Sequence, residues 1–460
     1  MSNNKLLPLT IYYLSLQSLW KLTINKYFEE AKKRNIEPYQ ITYSTSTETS
    51  VEVHNGEVEV QEIGSSQDIG AKGIVNGKQG LFATDCIDSK TPELLAENVL
   101  NSSIYGKEAK ADNYFKGGLK YKKAKTKLKD FKSATLKELR EFAFEVYNEI
   151  KKQDSRLTSI SVSITKQEEL SQKFNSYGVK CKDEGACYFC SVSIVAEDEN
   201  KEPRSGGKSS ISFLSLDDLK QDIYKKIPEI ISSAVDFFGS KPLDTKKYKV
   251  LLDRTCVASL LSCLLSQLNA KSVQKHLSLF EGKIDSQIIS KNITITNEPH
   301  CTSASSSSYD ADGYPTKEFT LIKNGVLKDY LYSVETANID NRESNGCSIG
   351  DGNARLIRPF VKPGKNDLDT LFKKVNNGLY ITSISGLNSG IDGQTLDFSL
   401  PCEGYLIKDG KKDKAFSMMI VAGNLLDVFN NVLAIGNESS LKEMKFYPSM
   451  IIKSLTVSGK

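Results

Sequence analysis

Asn55-Gly56 lies between Val51 and Val53 on one side and Val58 and Val60 on the other. The dipeptide returns at Asn76-Gly77 and Asn324-Gly325, with Asp409-Gly410 as a fourth of the kind. A two-residue hairpin turn whose twist suits its flanking strands needs positive φ at both central residues, and Asn or Asp followed by Gly supplies that at least steric cost. Four such turns, spread over both halves, commit the chain to antiparallel hairpins. Helical spacing interrupts them at 21–34, where Ile24, Tyr27, Phe28 and Ala31 share a face, and again near 135–152, 216–238 and 255–269. In the last of these Val257, Leu260, Leu261, Leu264, Leu265 and Leu268 form one apolar stripe, the pattern of a core helix. Strands are expected near 158–164, 187–196 and 248–253. Helices mixed with hairpins in this way imply an α+β fold and not a doubly wound sheet.

A chain of 460 residues is too long for one ordinary core. Phe238-Gly239 followed by Pro242 stops a helix, so 241–247 is the expected boundary between an N-terminal α+β domain with antiparallel hairpins (21–240) and a C-terminal β-rich domain (241–460). Residues 1–20 read as a leader or first helix, since Gln17 and several Ser and Tyr interrupt its apolar run. No stretch approaches eighteen consecutive apolar residues, so no membrane-crossing helix is expected. Residues 107–132 hold ten lysines against three acids around Gly117-Gly118, without apolar period, and read as a solvated Lys-rich connector. Tyr114, Phe115 and Tyr121 within it could stack on nucleic acid bases, but a solvated linker has the same look, and a net charge of +4 does not drive such binding. Residues 197–210 read as a polar loop. Nine scattered cysteines, an odd number, fit reduced thiols in a cytoplasmic protein.

Two motifs that could carry chemistry fail on context, and a third does not occur. Cys187-Tyr188-Phe189-Cys190 has metal-ligand spacing but no second pair, and Cys190, Val192 and Ile194 alternate as in a strand. Gly346-Cys347-Ser348-Ile349-Gly350 matches a nucleophile elbow, yet no histidine follows His300 to serve the serine, and Asp351-Gly352 continues as a turn. A phosphate-cradling G-x-x-x-x-G-K-[ST] is absent from the sequence.

The ordered segments Gly378–Thr382, Leu396–Leu400, Glu403–Ile407, Ile420–Asn424 and Ala434–Asn437 resemble the TldD/PmbA family, once described as modulators of DNA gyrase. The resemblance runs back through Ser306-Ser307-Ser308-Tyr309-Asp310-Ala311-Asp312-Gly313 to the N-terminal hairpins from about Val51. It implies a zinc peptidase in the TldD kind of subunit, with two histidines of H-E-x-x-x-H on a helix and a cysteine near the C-terminus as ligands. Such a site holds the metal through imidazole and thiolate and leaves a position open for an acidified water.

Against that motif the helix after Leu251-Leu252-Asp253 has Ser262 and Gln267 at the histidine positions and Cys263 at the glutamate position. No His, Glu or Asp occurs from Ala258 to Asn269, and no Cys from Glu403 onward, where Lys445-Phe446-Tyr447-Pro448-Ser449 stands instead. The resemblance is therefore to the PmbA (TldE) kind. It implies no catalytic residue and no metal or other cofactor in this chain, zinc in a TldD-like partner, and a heterodimer with that partner or a homodimer. It also implies a role with unfolded peptide and little activity alone. A peptide could be held as an added strand beside Gly386, Asn388, Ser389, Asp397, Phe398 and Ser399, a Gly-rich loop leading into a strand, which reads equally as an ordinary turn. The alternative is a stand-alone binding or regulatory module acting on nucleic acid or gyrase, as the older family name suggests.

Overall fold

In a computed structural model the described residues are 23–123, 128–212, 214–301, 307–441 and 445–459. The expected leader 1–20 and Ser306 lie outside them. Six long strands open the fold: β1 (Tyr39–His54), β2 (Glu57–Val75), β3 (Lys78–Thr84), β4 (Leu157–Asn175), β5 (Lys180–Glu197) and β6 (Pro203–Ser212). They form an antiparallel sheet in the order β3-β2-β1-β4-β5-β6. Both N-terminal hairpins turn where expected, with φ of 49° and 88° at Asn55-Gly56 and 50° and 78° at Asn76-Gly77. Alternation sends Val51, Val53, Ile160, Val162, Ile164, Tyr188, Cys190 and Val192 to one face. That half of the face lies beneath α3 (Leu136–Gln153) and α4 (Leu216–Val235). Farther along, Ile41, Tyr43, Ile69 and Ala71 lie beneath α1 (23–33) and α2 (Thr91–Ser103). Reciprocal Thr135 and Glu138 bonds start α3, which removes two otherwise orphaned N–H groups.

The second half begins with β7 (Lys246–Leu252), whose end residue is followed by the Asp253 cap of α5 (Arg254–Ser266). Short α6 (Ala270–Gln274) restarts the helix after an Asn269 cap, so the helix expected to Asn269 ends one turn earlier. A small sheet of β8 (Ile295–Asn297), β9 (Phe319–Lys323), β10 (Val326–Leu327) and β13 (Pro359–Val361) follows. With it come α7 (Val334–Ile339) and the hairpin β11 (Ser348–Gly350) to β12 (Asn353–Ala354). Then come α8 (Leu368–Val375), β14 (Gly378–Ile384), β15 (Asp397–Lys408), β16 (Lys411–Asn424), α9 (Leu425–Asn430), β17 (Val432–Ile435) and β18 (Met450–Ser458). The larger sheet runs β16-β15-β14-β7-β18-β17, and β16 pairs with β18 as well, so the sheet curls closed. Its interior residues, among them Val250, Leu379, Ile381, Phe416 and Ile452, share one core with the leucines of α5. The chain is α+β, as its hairpins and helices imply.

Two expectations are corrected. Residues 203–210 of the expected polar loop belong to strand β6, which is recruited by ten register pairs with β5 despite Pro203 and Gly206-Gly207. The connector is not solvated along its length. Tyr114 and Phe115 are 3% and 7% exposed, and Phe115 packs with Val179, Cys181, Tyr309 and Tyr314. The lysines around them, such as Lys116 and Lys120, do face solvent, which is why composition alone misreads the segment.

Candidate functional site

Helix α5 buries Cys256, Val257, Leu260, Leu261, Leu264 and Leu265 and turns its other face outward. Each buried leucine contributes about 1.5–3 kcal/mol of apolar burial, so packing fixes the helix without help from its polar face. Ser262 is exposed on that face and its Oγ donates to the carbonyl of Ala258 at 2.7 Å. Beside it lies Tyr447, in the segment that stands where the resemblance implies a cysteine; burial raises the phenol above its ordinary range and the Ser262 bond offsets part of the rise. Cys263 is half-buried, and desolvation raises its thiol. Gln267 is 7% exposed, and its amide is bonded at both its nitrogen and its oxygen: Nε2 donates to the carbonyl of Gly393 at 2.6 Å and Oε1 accepts from the N–H of Leu279 at 3.2 Å.

Gly393 belongs to the loop after β14 that contains Gly386, Asn388 and Ser389, so the fold does bring the altered α5 positions and the Gly-rich loop together. Gly386 turns with φ of 73°, and Asp392 accepts from the N–H groups of Gln394 and Thr395 at 2.7 and 2.9 Å. Asn388 and Ser389 are exposed at the outer side of this loop. Asp397 is exposed and accepts from Asn424 Nδ2 at 2.9 Å, while the same amide donates to Thr395 O at 2.8 Å. Asn424 is a joint that sequence reasoning did not single out, although as the cap of α9 it carries a readable signal.

The strand Asp397–Ser399 does not offer an open edge. One side pairs with β16 through Asp397 to Asn424, Phe398 to Gly423 and Ser399 to Ala422. On the other side the loop folds back, with Ser399 N–H donating to Gly390 O at 2.8 Å and Asp392 N–H to Asp397 O at 2.8 Å. A Cβ on Gly390 would sit 2.6 Å from Ser399 O, so only glycine permits this approach. Phe398 is 4% exposed and belongs to the core, not to a peptide surface. The added-strand mode is therefore corrected at these three residues: their backbone groups are already spent within the fold. Ser399 keeps an exposed side chain.

A zinc ion does not fit the α5 positions. A serine hydroxyl turned to its own helix, a half-buried thiol and a doubly bonded amide supply no imidazole pair. Among the described residues, no group of three or more His, Cys, Asp or Glu side chains could hold a metal ion. Near the start of α5, Tyr380 OH donates to Asp253 Oδ2 at 2.9 Å while Asp253 Oδ1 caps Thr255, and burial pushes the Tyr380 phenol far up. This pair fastens the helix to β14 without exposing a reactive group.

Sequence models of the PmbA/TldA metallopeptidase central domain and C-terminal domain match residues 129–236 and 245–459. The chain belongs to the PmbA/TldD family. Within that family, a Methanocaldococcus jannaschii protein of uncharacterized function is 26% identical over 453 residues, 94% of this chain and 99% of its own. Metalloprotease PmbA of Escherichia coli O157:H7 is 23% identical over 221 residues, 48% of each chain. A Thermotoga maritima MSB8 structure, named as a candidate modulator of a DNA gyrase, superposes with a TM-score of 0.83 at 26% identity, covering 95% of this chain and all of that one. TldE from Thermococcus kodakarensis superposes over 95% of this chain with a TM-score of 0.78 at 17% identity, a likeness of fold alone. Among the described residues, no helix is long and apolar enough to cross a membrane.

Proposed function

We propose that this chain is the non-catalytic, PmbA (TldE)-like subunit of a cytoplasmic TldD/TldE-type zinc metallopeptidase complex that processes unfolded peptide. The observation that carries the reading is Gln267. At a position where the resemblance implies a zinc-binding imidazole, its amide ties α5 to the 385–395 loop and to Leu279. The metal-site geometry has been replaced by structural bonds while the helix, the loop and the surrounding core are kept. A subunit of this kind adds surface and rigidity to a cleft whose water activation comes from the TldD-like partner. Because the Asp397–Ser399 edge is filled, unfolded peptide would meet exposed groups of Asn388, Ser389 and Ser399 rather than add a strand there.

The stand-alone nucleic-acid reading loses its stacking surfaces, since Tyr114 and Phe115 are buried and Tyr121 is half-buried with its hydroxyl on Gly313 O at 2.9 Å. Affinity isolation of the full chain from its own cells tests the proposal. A TldD-like chain in near-equal amount is expected. Isolation without one, together with DNA binding that falls steeply with salt, would favour the stand-alone module.

A further inference from the structure

The segment Asp310-Ala311-Asp312-Gly313-Tyr314 takes no part in the site above, yet it is built rigidly. The Asp310 carboxylate accepts three backbone N–H groups: Asp312 at 2.9 Å and Tyr314 at 3.0 Å on Oδ1, and Ser348 at 3.0 Å on Oδ2. Asp312 Oδ2 accepts the N–H of Val334 at 3.0 Å. Asp310 O accepts Gly313 N–H at 3.0 Å within the loop, and the carbonyls of Asp310, Ala311 and Gly313 also meet side chains from other parts of the molecule. Lys173 Nζ of β4 donates to Asp310 O at 3.3 Å and also to Ala311 O. Gly313 O accepts Tyr121 OH of the connector at 2.9 Å and faces Cys181 Sγ of β5 at 3.7 Å. Around this point Ser171 and Tyr309 share a 2.7 Å hydroxyl bond, Ser308 N–H donates to Asp183 at 2.8 Å, and the rings of Phe115 and Tyr314 lie 4.8 Å apart. Three segments remote in the chain thus meet on the sheet face opposite its helices.

The other end of the interface differs in kind. There the link 236–245 joins the halves covalently, beside the ion pairs Arg204 to Glu403 at 2.6 Å and Lys412 to Asp236 at 3.3 Å. Those side chains are 28–42% exposed, and pairs of that sort hold little against water. Lys173 and Asp310 are 6% and 4% exposed. Arg204 pairs with Ala196, and Cys181 lies fifteen residues earlier on β5, about 50 Å away at about 3.4 Å per residue. The C-terminal half is therefore tied at one end by chain, by these ion pairs and by the buried rings of Phe237 and Tyr405, 5.4 Å apart, and at the other end by a buried polar joint.

We propose that these two ends are hinge and latch: Lys173 with the Asp310–Tyr314 loop, clipped by Tyr121, holds the C-terminal domain closed on the sheet, and release there lets that domain swing away from the sheet about the 236–245 hinge. A buried ammonium bonded to carbonyls is costly to bring out of water unless every donor stays engaged, so the joint is held fully made or fully broken. Gly313, at φ of 78° with its missing Cβ 3.3 Å from Lys173 Cδ, is the residue that admits the lysine.

Hydrogen exchange and small-angle scattering on the full chain test this with Lys173→Met, which keeps the bulk and removes the donors. Amides of 310–316 and 112–122 are expected to exchange at least roughly tenfold faster, as loss of a charge-assisted bond implies. The radius of gyration should rise while slow amides of α3 and α5 hold their rates. Faster exchange confined to 310–316 with unchanged scattering overturns the latch, as does equal acceleration in every element. Should Lys173→Met fail to fold, Tyr121→Phe decides: faster exchange in both 112–122 and 310–316 supports the latch, and no change in either refutes it.

Discussion

Replacing Gln267 by alanine separates a structural residue from a remnant of chemistry. The substitution removes two hydrogen bonds, to Gly393 O at 2.6 Å and from Leu279 N–H at 3.2 Å. Each is worth about 0.5–1.5 kcal/mol net, so the loss is about 1–3 kcal/mol. It falls toward the lower half of that range because Gly393 and Leu279 are exposed and water can take the freed groups. Ser262→Ala is the matched control on the same helix: Ser262 is exposed, and its bonds are to its own turn through Ala258 O and to the Tyr447 phenol, so its loss should stay small, about 0.5–1 kcal/mol. Leu264→Ala sets the upper mark, since a fully buried leucine costs about 2–5 kcal/mol to truncate. The assay is the opening free energy of the slowest α5 amides by hydrogen exchange, read beside partner-dependent peptidase activity. The order Ser262→Ala, Gln267→Ala, Leu264→Ala in rising cost is expected, with activity following stability. Gln267→Ala that leaves α5 as stable as the parent but abolishes the complex's activity would refute the reasoning, because the residue would then act on substrate.

Other consequences are as direct. Purified chain should carry far less than one zinc per molecule by elemental analysis; stoichiometric zinc released by His276→Ala or His300→Ala would overturn the site assignment. Fully buried His300, with Nε2 2.9 Å from Thr316 Oγ1, has its pKa held below the ordinary imidazole range, chiefly by desolvation, with Glu318 pulling upward. A base depressed in the folded state lends stability above its unfolded pKa of about 6.5 that is lost as pH falls through the folded value. The urea midpoint should therefore drop between pH 7.5 and 5.5 more in the parent than in His300→Gln, and equal drops would contradict the assignment.

The hairpins were legible because an Asn-Gly or Asp-Gly turn demands what few other pairs supply, and all four close with positive φ at both central residues. Helices α3, α4 and α5 were legible from apolar spacing, with ends shifted by a few residues. Strand β6 was not, since its pairing comes from the neighbouring register of β5 and overrides a Pro-Gly-Ser composition that reads as loop. The connector misled for a related reason: its described lysines are exposed, while Phe115 anchors it through contacts with residues far along the chain and Tyr114 is buried beside it. At the site, that Ser262 and Gln267 stand where the resemblance implies histidines, and Cys263 where it implies glutamate, could be read off directly. That Gln267 binds Gly393, and that Gly390 folds back on Ser399, could not, because both depend on a loop whose path is set by tertiary packing.

The central claim is that this chain completes a peptidase without supplying its chemistry. The measurement that tests it most directly is hydrolysis of a disordered polypeptide by the purified chain, by its TldD-like partner, and by the two mixed, each with and without a metal chelator. The account predicts no cleavage by this chain alone, and cleavage by the mixture above that of the partner alone, abolished by chelator. Cleavage by this chain alone, at a rate unaffected by chelator and by further purification, would contradict it.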